Sequence, residues 1–534
     1  MATHEVLNQP PPLEANLFAA DRALRDAIER EGAGWATAQL LELGQLAGSR
    51  PAQAWAAQAN ENPPRLRTHD RYGNRVDEVD FHPAWHELMR AAVAHGIHSL
   101  PWEEDRPAAH VARAAMMFVD SQCEQGHGCP ISMTYSAVPA LRRQPELARE
   151  WEPRIATRSY DPRMVPAERK SGALIGMAMT EKQGGSDVRA NSTRAAPDGE
   201  AWRLTGHKWF CSAPMSDAFL VLAQAPKGLS CFLLPRWTPD GARNRFFLQR
   251  LKDKLGNRSN ASSEVELDGA WAQLVGEEGR GVPTILEMVN HTRLDCVLGA
   301  AGVLRQAQWQ AAHHCAHRSA FGKRLVEQPL MRNVLADLCV EAEAALLLAM
   351  RLARAYDRPE ESAFRRLATA VSKYWVCKRA PIGVGEALEC LGGNGYVEES
   401  GLPRLYREAP LNSIWEGSGN VICLDVLRAV AKEPPAVEAL LTELRQARGA
   451  DRRLDAHLDA TEALLTRAEE DQARRLVEAL ALALQGSLLV RYGPPAVADA
   501  FCASRLGGDW GRTLGTLPRG VDMPTLVDRA QPAA

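Results

Sequence analysis

Over residues 14 to 150 apolar positions recur three and four apart in Asp21–Glu31, Trp35–Leu46 and Pro83–His95, the spacing that lines one face of a helix. Val111–Val119 and Ile131–Leu141 are denser and read as buried helices, split by the loop Glu124–Gly128. Pro145–Lys170 mixes Pro, Arg and Glu without a period and reads as a linker. From Ser171 the period shortens. Leu174–Thr180, Ala201–Leu204, Ala218–Ala223, Leu229–Leu234 and Ser263–Leu267 are short apolar or alternating runs, as strands are. Gly206, Pro239-Asp240-Gly241 and Gly276-Glu277-Glu278-Gly279 mark turns between them, so a small barrel or sandwich is predicted. Pro283 opens a second helical series: Ile285–Arg318, Leu330–Tyr356, Ser362–Lys378 and Ile382–Leu391. The segment Gly401–Asn420 interrupts it and Val421–Lys432 resumes it. Beyond Pro434-Pro435 lie Ala436–Arg448, Leu454–Arg491 and a glycine-rich, weakly structured tail from Gly507.

The pattern predicts a mainly α protein with a β-domain insert. Its expected domains are 1–170 (helical), 171–282 (β), 283–433 (helical bundle) and 434–534 (extra helices). Composition changes this picture little: 46% apolar and 24% charged residues are those of a globular chain. The formal charge of −3 gives no overall reason to expect nucleic acid or an anionic membrane. Eleven cysteines without CxxC pairs suit a reducing compartment. The N-terminus lacks a basic and apolar leader, and no uncharged run nears the ~18–20 residues of a membrane helix, so a cytoplasmic protein is expected.

Five stretches carry candidate chemistry. Met179–Asp187 (MTEKQGGSD) follows a strand; its glycines allow close backbone approach, and its hydroxyls can donate to a ring carbonyl or pyrophosphate, though a plain hydroxyl-rich turn reads the same. Gly206–Ser212 (GHKWFCS) places an indole and a hydroxyl on a strand edge, as a flat ligand or an ordinary core aromatic would require. His313, His314 and His317 share a helix but lack a third metal ligand or an HExxH glutamate, so no metal is expected. Leu391–Tyr396 (LGGNGY) follows a helix and lacks the third glycine of a dinucleotide fingerprint, so it reads as a helix stop. Ile414–Asn420 (IWEGSGN) sets Glu416 beside Trp415, where apolar surroundings raise a carboxyl pKa, ahead of amides at a helix start. A helix-start glutamate stabilised by the dipole accounts for it equally well.

Taken in order with Arg318–Lys323 and Gln328, these motifs resemble the acyl-CoA dehydrogenase flavoprotein family. Further stretches, among them Glu31–Trp35, Phe81–His86 and Lys252–Ala261, resemble its adaptive-response (AidB) branch. The resemblance implies a helical N-terminal domain, a middle β-domain and a four-helix domain around FAD. It implies Thr180 at the flavin pyrimidine edge and Ser186 at the pyrophosphate, with Met179 and Gly185 among the cofactor-binding residues. Trp209 would lie against the isoalloxazine, with Ser212 near N5 and Phe210 among the cofactor-binding residues. Arg318, Phe321 and Gln328 would reach the FAD of a neighbouring subunit in a homotetramer. Gly392, Gly393, Ile414, Gly417, Ser418, Asn420 and Leu424 would complete the site. Glu416 matches the catalytic base, which removes the α-proton of an acyl-CoA thioester as hydride passes to flavin N5. Some members carry the base where Thr292-Arg293 stands here, and Thr292 cannot serve.

Glu389 stands where the family has glutamine, a change its AidB branch shares. That branch also implies an alternative role, double-stranded-DNA binding in the alkylation response with vestigial dehydrogenase activity. Residues 434–534 hold 12 Arg, no Lys and 14 acids, a formal charge of −2, which does not supply a phosphate-binding surface. Arg445, Arg448, Arg452, Arg453, Arg474 and Arg475 are the candidates for a local patch, against a helical face paired with its own acids.

Overall fold

The computed structural model describes residues 3–103 and 105–533. The chain divides into two units, one formed by 51–106 and 123–295, the other by 1–50, 107–122 and 296–534.

The first unit is built on a sheet. Its strands are β1 Arg65–His69, β2 Arg75–Asp80, β3 Ile175–Ala178, β4 Arg194–Asp198, β5 Ala201–Ser212, β6 Ala218–Ala225, β7 Gly228–Pro235, β8 Phe246–Leu251 and β9 Ser262–Val275. β1 and β2 form a hairpin of their own. β6 pairs with both β4 and β7, while β4–β5, β5–β9 and β9–β7 complete the circuit, so the sheet closes on itself; β3 extends it at β6 and β8 at β9. Closure removes most free edges. Phe219, Val221, Phe232, Leu234, Val265 and Leu267 fill the centre. Helices Pro83–Ala94, Gly128–Leu141 and Pro145–Ile155 belong to this unit.

Several expectations are corrected here. Pro145–Ile155 is a helix inside the predicted linker, because Leu147, Ala148, Trp151 and Ile155 line a buried face. Gly206 is no turn but sits inside β5 at φ +153, where a Cβ would fall 2.6 Å from Thr193 Cα. β1, β2, β4 and β8 escaped the pattern because most of their residues are polar or part-exposed.

The second unit is helical. It holds Arg22–Arg30, Thr37–Ala47, Pro329–Asp357, Ser362–Cys390, Gly419–Lys432 and the residues of Gly281–His317 from Cys296 onward. Ser362–Cys390 runs unbroken through Pro381, where two helices were expected. The missing N–H is outweighed by packing: Cys377, Ala380, Val384 and Ala387 are buried, and Gly383 lies so close to Leu304 that a Cβ would sit 2.3 Å from its Cδ1. The C-terminal helices are Pro434–Arg445, Arg452–Leu465, Ala473–Tyr492, Pro495–Phe501 and Met523–Ala530, the last within the expected weakly structured tail. Among the described residues no helix is long and apolar enough to cross a membrane.

Candidate functional site

The predicted residues fall into two sets, one in each unit. In the sheet unit the loop after β3 is laced to β5: Trp209 N donates to Thr180 O at 2.8 Å, and Lys182 N to His207 Nε2 at 2.9 Å. Below this junction Glu181 is buried. It accepts from Lys208 Nζ at 2.8 Å and from Ser192 N at 2.7 Å. Burial alone would raise its pKa, but the Lys208 ammonium and the surrounding donors hold it well below the usual carboxylate range. The loop is therefore seated on a charged, fully hydrogen-bonded floor.

β5 pairs Lys208 with Val265 and Cys211 with Ser263, so it carries one extra residue against β9 at Trp209–Phe210. Such a bulge re-aims side chains. Here Phe210 is 50% exposed and Trp209 half-buried. Lys252 Nζ lies 3.4 Å from the Trp209 ring centroid and also 2.6 Å from Glu264 Oε1. Ser212 Oγ is 3.4 Å from Ser262 Oγ. Gly185 and Ser186 are exposed, and a Cβ on Gly185 would lie 2.4 Å from Thr180 Oγ1. Met179, Thr180, Gly185 and Trp209 thus gather at one loop–strand junction.

In the helical unit the 401–420 segment begins at Gly401 (φ +75), forms the helix Leu402–Glu408, and makes a single turn at Leu411–Ser413. Trp415 Nε1 donates to the buried Asn412 Oδ1 at 2.8 Å, which fixes the indole. Ile414 is 61% exposed. Glu416 then adopts φ +59 and Gly417 φ +105, a left-handed pair that turns the chain into the helix Gly419–Lys432. Lys373, fully buried on Ser362–Cys390, donates to the carbonyls on either side of Glu416: Trp415 O at 2.8 Å and Gly417 O at 2.5 Å. Ser418 is the N-cap yet makes no side-chain cap, so the first amides of that helix are left for other acceptors. Gly419 packs so tightly that a Cβ would meet Lys378 Cε at 3.1 Å. Arg474 Nε donates to Asn420 Oδ1 at 2.8 Å, and Leu424 is 37% exposed.

Gly392 (φ +59) and Gly393 open a 3-10 turn just beyond Cys390, exposed, with no atom within 4 Å of a built Cβ. Arg318 Nη1 donates to Asn8 O at 2.6 Å, and Gln328 Nε2 to Ala320 O at 3.1 Å. Between them Phe321 and Gly322 form a turn at φ +51 and +77, and Phe321 is 100% exposed. Thr292 Oγ1 donates to Val289 O at 3.0 Å. His313 and His317 contact the carbonyls of Pro11 and His313.

The motifs leave out Lys373 and Asn412, give no role to Lys208 although it lies inside Gly206–Ser212, and place Arg474 only in a possible patch. Lys373 had a signal: it is a lone cation in the apolar run ATAVSKYWVC, where a charge must meet a partner.

Comparison with known proteins matches three family models. Residues 8–162 fit the adaptive response protein AidB N-terminal domain, 176–270 the acyl-CoA dehydrogenase middle domain and 279–431 the acyl-CoA dehydrogenase C-terminal domain. The chain is 47% identical to the AidB protein of Escherichia coli (strain K12) over 508 residues, 94% of each chain. It is 32% identical to acyl-CoA dehydrogenase family member 11 of Caenorhabditis elegans, over 87% of this chain and 78% of that one. The crystal structure of Caenorhabditis elegans ACDH-11 in complex with C11-CoA superposes with a TM-score of 0.86 at 28% identity, covering 100% of this chain and 94% of that chain. The chain belongs to the acyl-CoA dehydrogenase family of CH–CH oxidoreductases, and carries that family's AidB-type N-terminal domain.

Proposed function

We propose that this protein is an FAD-dependent acyl-CoA dehydrogenase in which Glu416 is the base. The observation that carries the reading is the turn at Glu416: a left-handed carboxylate residue between two anchored carbonyls, next to an uncapped helix start. A strained non-glycine conformation held this firmly is a mark of functional sites.

The residues present fit a flavin dinucleotide. Phe210 in the sheet unit, and Ile414 and Leu424 in the helical unit, each expose apolar surface of the kind a ring system covers. Thr180, Ser186 and Ser212 offer hydroxyls to its polar edges, with Met179, Gly185 and Trp209 shaping the same junction. The uncapped amides before Asn420, with Gly417 and Ser418, suit its adenosine half, and Gly392 and Gly393 admit close backbone approach. When bound, the flavin supplies the acceptor for the β-hydride. Glu416 removes the α-proton and holds it on its carboxyl oxygen, and Trp415, fixed by Asn412, excludes water from one side.

The exposed Phe321 turn, flanked by Arg318 and Gln328, is the surface by which a second copy would complete the cofactor site in a homotetramer. In this reading the substrate is an acyl-CoA thioester, and the protein acts in the cytoplasm. The test is anaerobic titration of the yellow protein with a panel of acyl-CoA esters. Glu416→Gln should keep its flavin and lose bleaching; bleaching at the wild-type rate sinks the assignment.

A further inference from the structure

The loop that carries Glu416 is held by a residue outside every motif. Lys373 is fully buried in the helix Ser362–Cys390, between Ser372 and Tyr374. Its ammonium is answered by two backbone oxygens, those of Trp415 and Gly417. Charge-assisted hydrogen bonds of this kind are short and strong, and stronger in a low dielectric. The two carbonyls bracket the only soft torsions through which Glu416 can move relative to its neighbours, its own φ, ψ and those of Gly417. The Trp415 carbonyl belongs to the same planar peptide as the Glu416 N–H, so anchoring one orients the other. Glu416 itself is at φ +59. An L-residue stays there only where its surroundings over-determine it, and Lys373 is a cation among those surroundings.

We infer that Lys373 is a positioning residue for proton abstraction: clamped between the Trp415 and Gly417 carbonyls, it holds the strained turn that aims the Glu416 carboxylate. The inference rests on Glu416 being the base. It adds that base strength and base placement reside in different residues, one at the turn and one on the helix beneath it.

The experiment compares full-length flavin-loaded wild type, Lys373→Met, Lys373→Gln and Lys373→Arg with Glu416→Gln. Three quantities are read: flavin absorbance with melting temperature, exchange of the α-protons of C11-CoA into deuterated water, and backbone deuterium uptake of residues 411–420. Lys373→Met should retain flavin and melting temperature, take up deuterium faster across 411–420, and lose ~10²-fold in α-exchange, the penalty of a slightly misplaced group. Lys373→Arg should recover part of the rate. If Lys373→Met does not fold, Lys373→Gln decides, since its shorter, neutral amide keeps a polar but weaker donor group: slower α-exchange at full flavin content supports the inference. Wild-type α-exchange in either folded variant overturns it, as does loss of flavin in step with the loss of rate. Undiminished exchange in Glu416→Gln overturns the base assignment instead.

Discussion

Replacing Lys208 by methionine would remove the cation from the floor of the sheet-unit site at nearly constant volume. Lys208 is 1% exposed, and its ammonium donates to Glu181 Oε1 and Leu222 O, each at 2.8 Å. Glu181 is 0% exposed and also accepts from Ser192 N at 2.7 Å, Gln183 Nε2 at 2.8 Å, Ser192 Oγ at 2.9 Å and Thr193 N at 3.2 Å. Methionine leaves the carboxylate with those donors but no counter-charge. Breaking a buried pair by removing one partner costs about 3–5 kcal/mol. The four surviving donors put the expectation near ~3 kcal/mol, since each still offsets part of the desolvation. Glu181 can escape by taking a proton, so the loss should be smaller at pH 5 than at pH 8. The measurement is urea denaturation followed by tryptophan emission, read as a midpoint shift because a two-unit chain need not unfold in one step. Glu181→Gln with Lys208→Met should recover more than half of the loss, because it removes the uncompensated charge. A Lys208→Met midpoint within about 0.5 kcal/mol of wild type would refute the reasoning.

Other predictions concern single contacts. Gly206→Ala forces a side chain to φ +153 and against the Thr193 backbone, so it should destabilise by more than ~1 kcal/mol in the same urea assay. His98 is buried with Nε2 donating to Ile155 O and Thr157 O, and burial lowers its pKa to about 4. The unfolded chain therefore binds a proton near the ordinary value of 6.5 that the folded chain refuses. Stability should be intact above that value and fall as pH drops toward 4, by up to about 3 kcal/mol; His98→Gln should flatten this part of a melting-temperature profile. A wild-type profile level between pH 7 and 5 would contradict it.

The long helices and central strands were legible because burial imposes a period that the sequence must keep. Gly281–His317 and Pro329–Asp357 each lie within a few residues of the apolar repeats. Local chemistry misled where packing overrode it, as at Pro381, whose ring stays inside a helix because both flanks are buried. It also misled at Gly206, where the glycine answers the Thr193 backbone and not a turn. The candidate site was legible in a different sense. Motif order named Glu416 and Trp209 as candidates without geometry, but not what holds them. Lys373 lies more than forty residues before Glu416 in sequence, and its partners are carbonyl oxygens, which leave no trace in residue identity.

The C-terminal region bears on whether this branch of the family is built for DNA. Of the six arginines that could form a patch, Arg445 pairs with Glu462 at 2.9 Å, Arg448 with Asp459 at 2.8 Å and Arg453 with Asp499 at 2.8 Å. Arg474 is spent on Asn420. The region is also keyed into the bundle: buried Glu443 accepts from Arg351 at 2.8 Å and Arg491 at 2.9 Å, and Trp375 Nε1 donates to Gln485 Oε1 at 2.9 Å. Deleting it would strip partners from two long helices, so loss of DNA binding after truncation would report unfolding as readily as a lost interface. Point variants are the sharper tools. Glu443→Ala leaves Arg491 without its carboxylate partner and Arg351 with Glu361 alone, and should lower stability by ~2 kcal/mol. Arg474→Ala should leave the melting temperature of the flavin-free protein unchanged while the flavin is shed more readily, because its partner Asn420 stands in the first turn of an uncapped helix. Equal flavin retention in Arg474→Ala and wild type would show that these added helices stabilise the bundle without serving its cofactor.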